Sequence, residues 1–321
     1  MGRFRGFLPD RLHRPGGGGT AQGTRYDPRT GLGSHRAENP GALPRGDLSP
    51  GRHRDRGGCG MRNVLSIARR ELGAFFVSPI AYVVLMLFLL VSGFFNYSYI
   101  SAFAERYAQY QAIAQMYRNP QILQQLNVNQ MIVQPLLSTI SVILIFLMPI
   151  VTMRSFAEDR RNGIDELLFT SPVSTVQLVF GKFLGAFTFY LVMLALTLHY
   201  PVILTKYGNP EKGPIVAGYL GLLLLGTAYL TFGLFASSLT KNQMVAAVIG
   251  FVGLLLFWLV GVLSGRASGA WKEIISYVAL IDHFQNFTKG LIDTKDVAFF
   301  VSFVALFLVL TKLSLDSLRW R

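Results

Sequence analysis

Long stretches without a charged residue dominate the sequence from residue 61 onward. There are six of them, five of 23 to 35 residues and a last one of 15. A helix needs about 20 apolar residues to cross a bilayer, and the aliphatic stem of Lys312 extends the short last stretch. The pattern predicts an all-α polytopic membrane protein with six transmembrane helices within residues 80–321. The uncharged stretches are 72–104, 119–153, 183–205, 213–240, 242–265 and 297–311.

A different pattern precedes the first span, over residues 61–79. Apolar residues recur there at helical spacing, with Arg69 and Glu71 on other faces. This spacing is typical of a helix that lies in the cytoplasmic membrane interface. Ser78-Pro79 ends it, because the residue before a proline is disfavoured in the helical conformation. The apolar positions are Val64, Leu65, Ala68, Leu72, Phe75 and Phe76.

Composition supports the membrane assignment and excludes several kinds of site. Hydrophobic residues form 51% of the chain and charged residues only 15%, whereas soluble proteins carry about 25% charged residues. The single cysteine, Cys59, excludes an intramolecular disulfide and a metal site of several cysteines. The predicted spans hold no paired carboxylates or His/Asp cluster, which disfavours an ion-coupled secondary transporter and a membrane-embedded enzyme.

Residues 1–60 have another character. They hold 11 arginines, five acidic residues, 15 of the 32 glycines and six of the 14 prolines. Such a segment buries too little apolar surface to offset its chain entropy, so it is predicted to be disordered. We interpret it as a mis-assigned start, with Met61 as the first residue, in preference to a low-complexity cytoplasmic tail. No nucleic-acid partner is expected.

The distribution of basic residues predicts the orientation in the membrane. Eleven lysines and arginines lie on the side of Met61, and eight lie in the longer connections of the opposite side. Short loops rich in lysine and arginine stay in the cytoplasm. With six spans, both termini are therefore predicted to be cytoplasmic.

Two longer connections, 101–132 and 264–296, are predicted to lie on the external side. The first is rich in glutamine and poor in charge, and a solvated connector is favoured over a substrate gate. In the second, Gly290 is expected to end a short helix. The candidates to cap the amino end of the last span are Asp293, Thr294 and Asp296.

The strongest functional signal is the connection between the second and third spans, residues 154–178. Seven of the thirteen residues from Arg154 to Glu166 are charged, between two helices whose cores carry no charge. Gly163 is predicted to separate two short helical pieces. Such a hairpin docks either on the protein's own membrane ends or on a soluble partner.

The second piece of this connection is amphipathic. Ile164, Leu167 and Leu168 share a face at helical spacing. Ser171-Pro172 predicts the start of the next helix, with Pro172 at its first position.

This connection resembles the coupling segment of type-2 ABC exporter permeases. Members of that family show an acidic residue, a glycine five positions later, then Glu-Leu-Leu and Ser/Ala-Pro-Val. The interfacial helix and the stretch from His283 to Asp296 resemble other parts of the family pattern, and the likeness covers residues 61–321. The matching residues are Glu158, Gly163, Glu166, Leu167, Leu168, Ser171, Pro172 and Val173.

The resemblance implies a non-catalytic permease subunit of the bacterial cytoplasmic (inner) membrane, nearest to the subgroup associated with gliding-motility genes. Two permease subunits, as a homo- or heterodimer in the lipid bilayer, would form the pathway. Separate ATPase subunits would bind ATP and magnesium, and this chain would hold no cofactor or metal. The residues expected to dock on the ATPase are Glu158, Asp159, Gly163, Glu166, Leu167, Leu168, Pro172 and Val173.

Two alternatives stay open at this point. The acidic residues of the segment can pair within the chain instead of docking, Glu166 with Arg161 or with the interfacial helix, and Glu158 and Asp159 likewise. A non-transporting scaffold driven by the same ATPase would need the same segment.

The sequence is consistent with an ATPase that is a separate chain. It has no Gly-x-x-x-x-Gly-Lys-Ser/Thr phosphate loop, and Gly181-Lys182 is followed by Phe183. Gly181 and Gly185 form a small-xxx-small pair, which we interpret as a contact within the chain rather than a subunit interface.

Overall fold

The computed structural model describes residues 56–119, 121, 126–163, 174–208, 210–264 and 277–319. These residues form nine α-helices and one π-helical turn, and no strand occurs among them. The helices are α1 (Arg56–Val77), α2 (Pro79–Met116), α3 (Gln134–Arg161), α4 (Thr175–Thr197), α5 (His199–Tyr207), α6 (Lys212–Leu239), α7 (Gln243–Ser264), α8 (Leu280–Thr288) and α9 (Thr294–Arg319), with the π-helical turn at Asn129–Val133.

Six helical segments are long and apolar enough to cross a membrane in the described part of the chain, as the sequence predicted. The all-α polytopic architecture is therefore confirmed. Two spans are composite, because α3 continues the π-helical turn and α5 continues α4. The segments are Pro79–Met116, Asn129–Arg161, Thr175–Lys206, Lys212–Leu239, Gln243–Ser264 and Thr294–Ser317.

The break between α1 and the first span lies at Ser78-Pro79, where the sequence predicted a helix end. Ser78 is extended between α1 and α2, and Pro79 opens α2. At its other end α1 begins at Arg56, five residues before Met61. The 38 residues of α2 correspond to about 57 Å, nearly twice the thickness of the hydrocarbon core, so the carboxyl half of α2 projects beyond it.

The third span begins later than predicted. Pro172 was expected at the first helical position, but α4 starts at Thr175 with Ser174 as its cap. The Ser174 hydroxyl accepts from the Gln177 N–H, and the Gln177 side chain accepts from the Ser174 N–H. This reciprocal capping box satisfies two amide donors at once and sets the helix start.

A break between α4 and α5 has a clear cause in Pro201. Proline has no N–H to donate to the carbonyl four residues earlier, which belongs to Thr197. The hydroxyl of Tyr219 on α6 donates to that carbonyl at 2.9 Å instead. The break is thereby tied to a neighbouring span.

Helices α3 and α6 form the centre of the bundle. About two thirds of their most apolar stretches are buried, against 28% or less for α2, α7 and α9. Close packing requires small residues on α6, and the Tyr190 ring lies where a side chain at Gly226 would otherwise be. The Tyr190 hydroxyl, on α4, donates to the Leu222 carbonyl on α6.

The pair Gly181 and Gly185 packs within the chain, as interpreted from the sequence. A Cβ at Gly181 would lie 2.7 Å from the Ile67 side chain, and one at Gly185 would lie 2.6 Å from the Cβ of Glu71. Both contacts bring α4 against α1. The amino-terminal helix is therefore fixed on the first half of the third span.

Candidate coupling site at one end of the bundle

The carboxyl ends of α3, α6 and α9 lie together with the amino end of α4. Arg160 on α3 donates to the Ser238 carbonyl at the end of α6 at 2.6 Å, and the Ser314 hydroxyl of α9 donates to the same carbonyl at 3.3 Å. Helix α1 joins them through its contact with Gly181. The start of the first span and the end of α9 therefore lie at the same end of the bundle. The connection between α3 and α4 leaves α3 at this end too.

Lys182 is the centre of this end. Its ammonium lies 2.5 Å from a Glu71 carboxylate oxygen on α1 and 2.7 Å from an Asp159 carboxylate oxygen on α3. It also donates to the Ser155 carbonyl at 2.5 Å, and the Phe156 ring centroid is 5.3 Å away. All three ammonium donors therefore have oxygen partners on two helices other than its own.

The cluster of Lys182, Glu71 and Asp159, which we call the Lys182 junction, is energetically important because its lysine is buried. The Lys182 side chain is 2% exposed, and those of Glu71 and Asp159 are each 15% exposed. A buried charge is tolerated only when it is paired and hydrogen-bonded, and breaking such a pair costs far more than the pair contributes. One cation between two carboxylates gives the cluster a formal charge of −1.

The junction closes the base of the predicted coupling segment. Asp159 lies just before the connection from α3 to α4, and Lys182 lies in the second turn after it. Their ion pair holds the two ends of the connection together. Glu71 then ties this base to α1, so a displacement of the segment acts on α1, α3 and α4 together.

Arg154 forms a second link beside the first. Its guanidinium donates to both carboxylate oxygens of Glu158, at 2.8 and 3.3 Å, and to the Ser78 hydroxyl at 2.7 Å. Glu158 lies one turn later on the same face of α3, and Ser78 is the hinge residue between α1 and α2. The arginine therefore connects α3 to the start of the first span.

A hydroxyl from α6 enters the backbone of α3 in this region. Ser237 accepts from the Phe156 and Ala157 N–H groups, each at 3.1 Å, and donates to the Met153 carbonyl at 3.0 Å. A side chain inserted into a helical hydrogen-bond ladder is a recognised cause of local bending. It marks the last two turns of α3 as a segment supported by α6.

A cavity of about 220 Å³ lies between α1 and the carboxyl end of α3, beside Lys182. Side chains of both charges line it, so it does not have the character of an apolar ligand pocket. Its lining includes Arg70, Glu71, Arg154, Glu158, Asp159, Asn162 and Lys182.

Three of the eight predicted docking residues fall in the described chain. Gly163 has a φ of +67°, the left-handed conformation that glycine adopts without strain, and it follows the last residues of α3. Glu158 and Asp159 both make ion pairs within the chain. Their internal pairing is the alternative left open by the sequence, and their docking on an ATPase stays a prediction.

The other five predicted docking residues lie outside the described residues, in the stretch 164–173. They are Glu166, Leu167, Leu168, Pro172 and Val173. The first helical piece before Gly163 is the end of α3 itself, which runs without interruption from the second span.

The opposite end of the bundle holds a separate polar cluster. Asp296, fully buried at the start of α9, lies 2.6 Å from His283 Nδ1 and accepts from the Asn286 amide at 2.8 Å. The His283 ring also stacks on Phe299 with centroids 4.1 Å apart. The cluster fixes α8 on α9, while Gly290 ends α8 with a φ of +86°, as predicted.

Comparison with known proteins identifies the class. The family described as ABC-2 family transporter protein matches residues 79–311, which is most of the chain. The chain therefore belongs to this family, whose members are membrane subunits of ABC transporters.

Two curated relatives carry the same name, "Probable multidrug ABC transporter permease YbhR", in Escherichia coli strain K12 and in Escherichia coli O157:H7. Each is 28% identical to the chain over 162 residues, which is 47% of this chain and 41% of the relative. The chain thus matches less than half the length of these relatives.

Proposed function

We propose that the chain is the permease subunit of an ATP-driven exporter and that a separate ATPase drives it through the segment 154–178. Membership of the ABC-2 family supports the transporter role. The coupling role is supported by the Lys182 junction. In it Asp159, within the segment, pairs with Lys182, just after the segment, and Lys182 also pairs with Glu71 on α1.

The proposed assembly has two permease subunits in the bilayer and two ATPase subunits below them. The ATPases bind ATP and magnesium, and the permease lines the pathway. Both termini and the Lys182 end face the bacterial cytoplasm, consistent with the excess of basic residues on that side. Within the family, the resemblance to permeases associated with gliding-motility genes gives the finer assignment.

In this proposal, closure of the ATPases on ATP moves the segment as one body. Leu167 and Leu168 fill an apolar cleft on the ATPase, where a buried leucine contributes on the order of 2 kcal/mol to the contact. The displacement reaches the spans through Asp159 and Lys182, which the structure holds at 2.7 Å. Glu71 carries it to α1, whose last residue precedes the first span.

Co-purification of the tagged permease with its ATPase tests the proposal. We expect the Leu167→Ala/Leu168→Ala variant to insert normally but to recover less ATPase or to lose coupled ATP hydrolysis. The matched control is Gln124→Ala/Gln125→Ala in the predicted external connection, which should do neither. Equal ATPase recovery and equal coupled activity in both variants would overturn the proposal.

A further inference from the structure

Helix α2 carries a long exposed stripe on the side that faces away from the bundle. The members of this stripe recur at helical spacing, which places them on one face of the helix. The first five are large side chains, 60% to 71% exposed. Residues that pack α2 on the bundle, such as Val84 and Phe88, lie on the opposite face. The α2 stripe consists of Val83, Met86, Leu90, Phe94, Tyr97, Ala104, Ala108, Ala112 and Gln115, all of them exposed.

No charged residue belongs to the α2 stripe. The only charges on α2 are Glu105 and Arg106, and helical geometry places Glu105 on the flank of the stripe and Arg106 on the opposite side. Two such stripes can therefore meet without bringing like charges together. A strongly charged partner surface, by contrast, finds no opposite charge on this stripe.

The stripe continues through two different environments. The first 20 or so residues of α2 cross the hydrocarbon core. The rest of the helix, from about Tyr99 to Met116, adds about 25 Å at 1.5 Å per residue. The large side chains up to Tyr97 therefore lie in the membrane, whereas the part of the stripe from Ala104 to Gln115 lies outside the hydrocarbon core.

This continuity selects the kind of partner. Acyl chains cover the membrane part of the stripe, as they cover the exposed faces of α7 and α9, which have only 22 and 26 residues. They do not reach the outer part, where a helix is stabilised mainly by packing. A soluble protein bound to the outer part does not reach the membrane part. The whole stripe therefore fits a partner that crosses the bilayer beside α2 and projects to the same height.

We propose that this partner is a second copy of the chain, with the two α2 helices packed as a parallel pair along the stripe. Both copies have the same orientation in the bilayer, so a twofold axis along the membrane normal places each stripe residue near its own counterpart. The two helices then match in length inside and outside the membrane. This inference rests on the proposed function, in which two permease subunits form the pathway, and it names the surface that joins them.

Disulfide cross-linking of single-cysteine variants tests the pairing. Full-length protein in a Cys59→Ser background is purified, reconstituted in vesicles without any other protein, and oxidised with copper phenanthroline. We expect Ala104→Cys and Ala108→Cys to form covalent dimers, because a disulfide requires Cα atoms within about 7 Å of each other. The matched controls are Arg106→Cys and Ile113→Cys, which are exposed in the same outer part but on the opposite side of α2, and they should stay monomeric.

A bulky substitution provides a second measurement that needs no cysteine. Ala108→Trp should lower the fraction of dimers seen by native mass spectrometry of the full-length protein, and Ile113→Trp should leave it unchanged. Monomers at all four cysteine positions, or dimers from Arg106→Cys as readily as from Ala108→Cys, would overturn the proposal, and so would an unchanged dimer fraction in Ala108→Trp. Neither measurement involves the ATPase, so such a failure is distinct from a failure of the coupling role, which co-purification with the ATPase reports.

Discussion

The two polar clusters at opposite ends of the bundle differ in how far apart along the chain their residues lie. Lys182 brings together α1, α3 and α4, and its carboxylate partners are 23 and 111 residues away along the chain. Asp296 joins α8 to α9 through residues only 10 and 13 positions away. The first cluster ties distant elements together, whereas the second fixes a turn between neighbours.

The difference in range suggests a difference in role. A short-range cluster stabilises the local angle between two helices, and its loss destabilises only those two helices. A long-range cluster at the base of a connection makes three helices respond as one unit, which is what a coupling element requires. Three changes, taken from the largest expected effect to the smallest, test this contrast.

The largest effect is expected for Lys182→Met. Methionine keeps the apolar volume but leaves the carboxylates of Glu71 and Asp159, each 15% exposed, without their shared cation, at a cost of up to about 3–5 kcal/mol. The midpoint of unfolding of the detergent-solubilised protein should shift to a much lower concentration of denaturing detergent than in the wild type. Lys241→Met, at an exposed lysine, is the control and should unfold as the wild type does.

A compensating variant sharpens this prediction. Glu71→Gln/Asp159→Asn/Lys182→Met removes all three charges and should regain much of the lost stability, because no unpaired charge is left buried. If the triple variant is as unstable as Lys182→Met alone, packing rather than charge pairing explains the junction.

A smaller effect is expected at the other end for Asp296→Asn. The substitution keeps the shape but removes the charge that faces His283 and Asn286, and we expect a loss of about 1–3 kcal/mol in the free energy of unfolding. ATPase recovery should not change. An equal loss of ATPase recovery in Asp296→Asn and Lys182→Met would remove the functional contrast between the two ends.

Asp293→Asn provides the matched control for that substitution. The Asp293 side chain is 48% exposed. The backbone N–H of Lys295 hydrogen-bonds to its carboxylate and, with the Lys295 ammonium, holds the pKa of Asp293 below its usual value. Asparagine keeps the capping hydrogen bond and removes only an exposed charge, so at neutral pH stability should fall slightly and far less than with Asp296→Asn.

The smallest effect is expected for the pair Arg154 and Glu158. Both side chains are about one third exposed, and pairs of this kind at i and i+4 contribute only about 0.3–0.5 kcal/mol. A double-mutant cycle with Arg154→Ala and Glu158→Ala measures this coupling energy. A value above about 2 kcal/mol would mean that this pair, like Lys182, belongs to a buried network.

The spans and several helix ends could be predicted from the sequence, because they depend on local signals. Absence of charge over some twenty residues, the pair Ser78-Pro79 and the positions of Gly163 and Gly290 each act within a few residues. The start of α4 was misplaced at Pro172, because the capping box of Ser174 and Gln177 is a competing signal of similar range.

The two clusters were less accessible to sequence reasoning. In the sequence Lys182 marks only the boundary of an uncharged run, although a lysine between Gly181 and Phe183, near the start of an apolar helix, is a sign of a buried partner. The sequence places His283 and Asp296 in one family pattern but does not pair them. Their contact depends on how α8 folds back on α9 after Gly290, which no local signal specifies.

Cysteine labelling tests most directly whether the Lys182 end faces the ATPase. Asn162 is exposed at the end of α3, and Lys289 is exposed at the opposite end. In a Cys59→Ser background, Asn162→Cys should react with a membrane-permeant maleimide in inside-out membrane vesicles and should be protected when the ATPase partner is bound. Lys289→Cys should label equally with and without the partner. Labelling of Asn162→Cys that is unchanged by a bound ATPase would contradict the account.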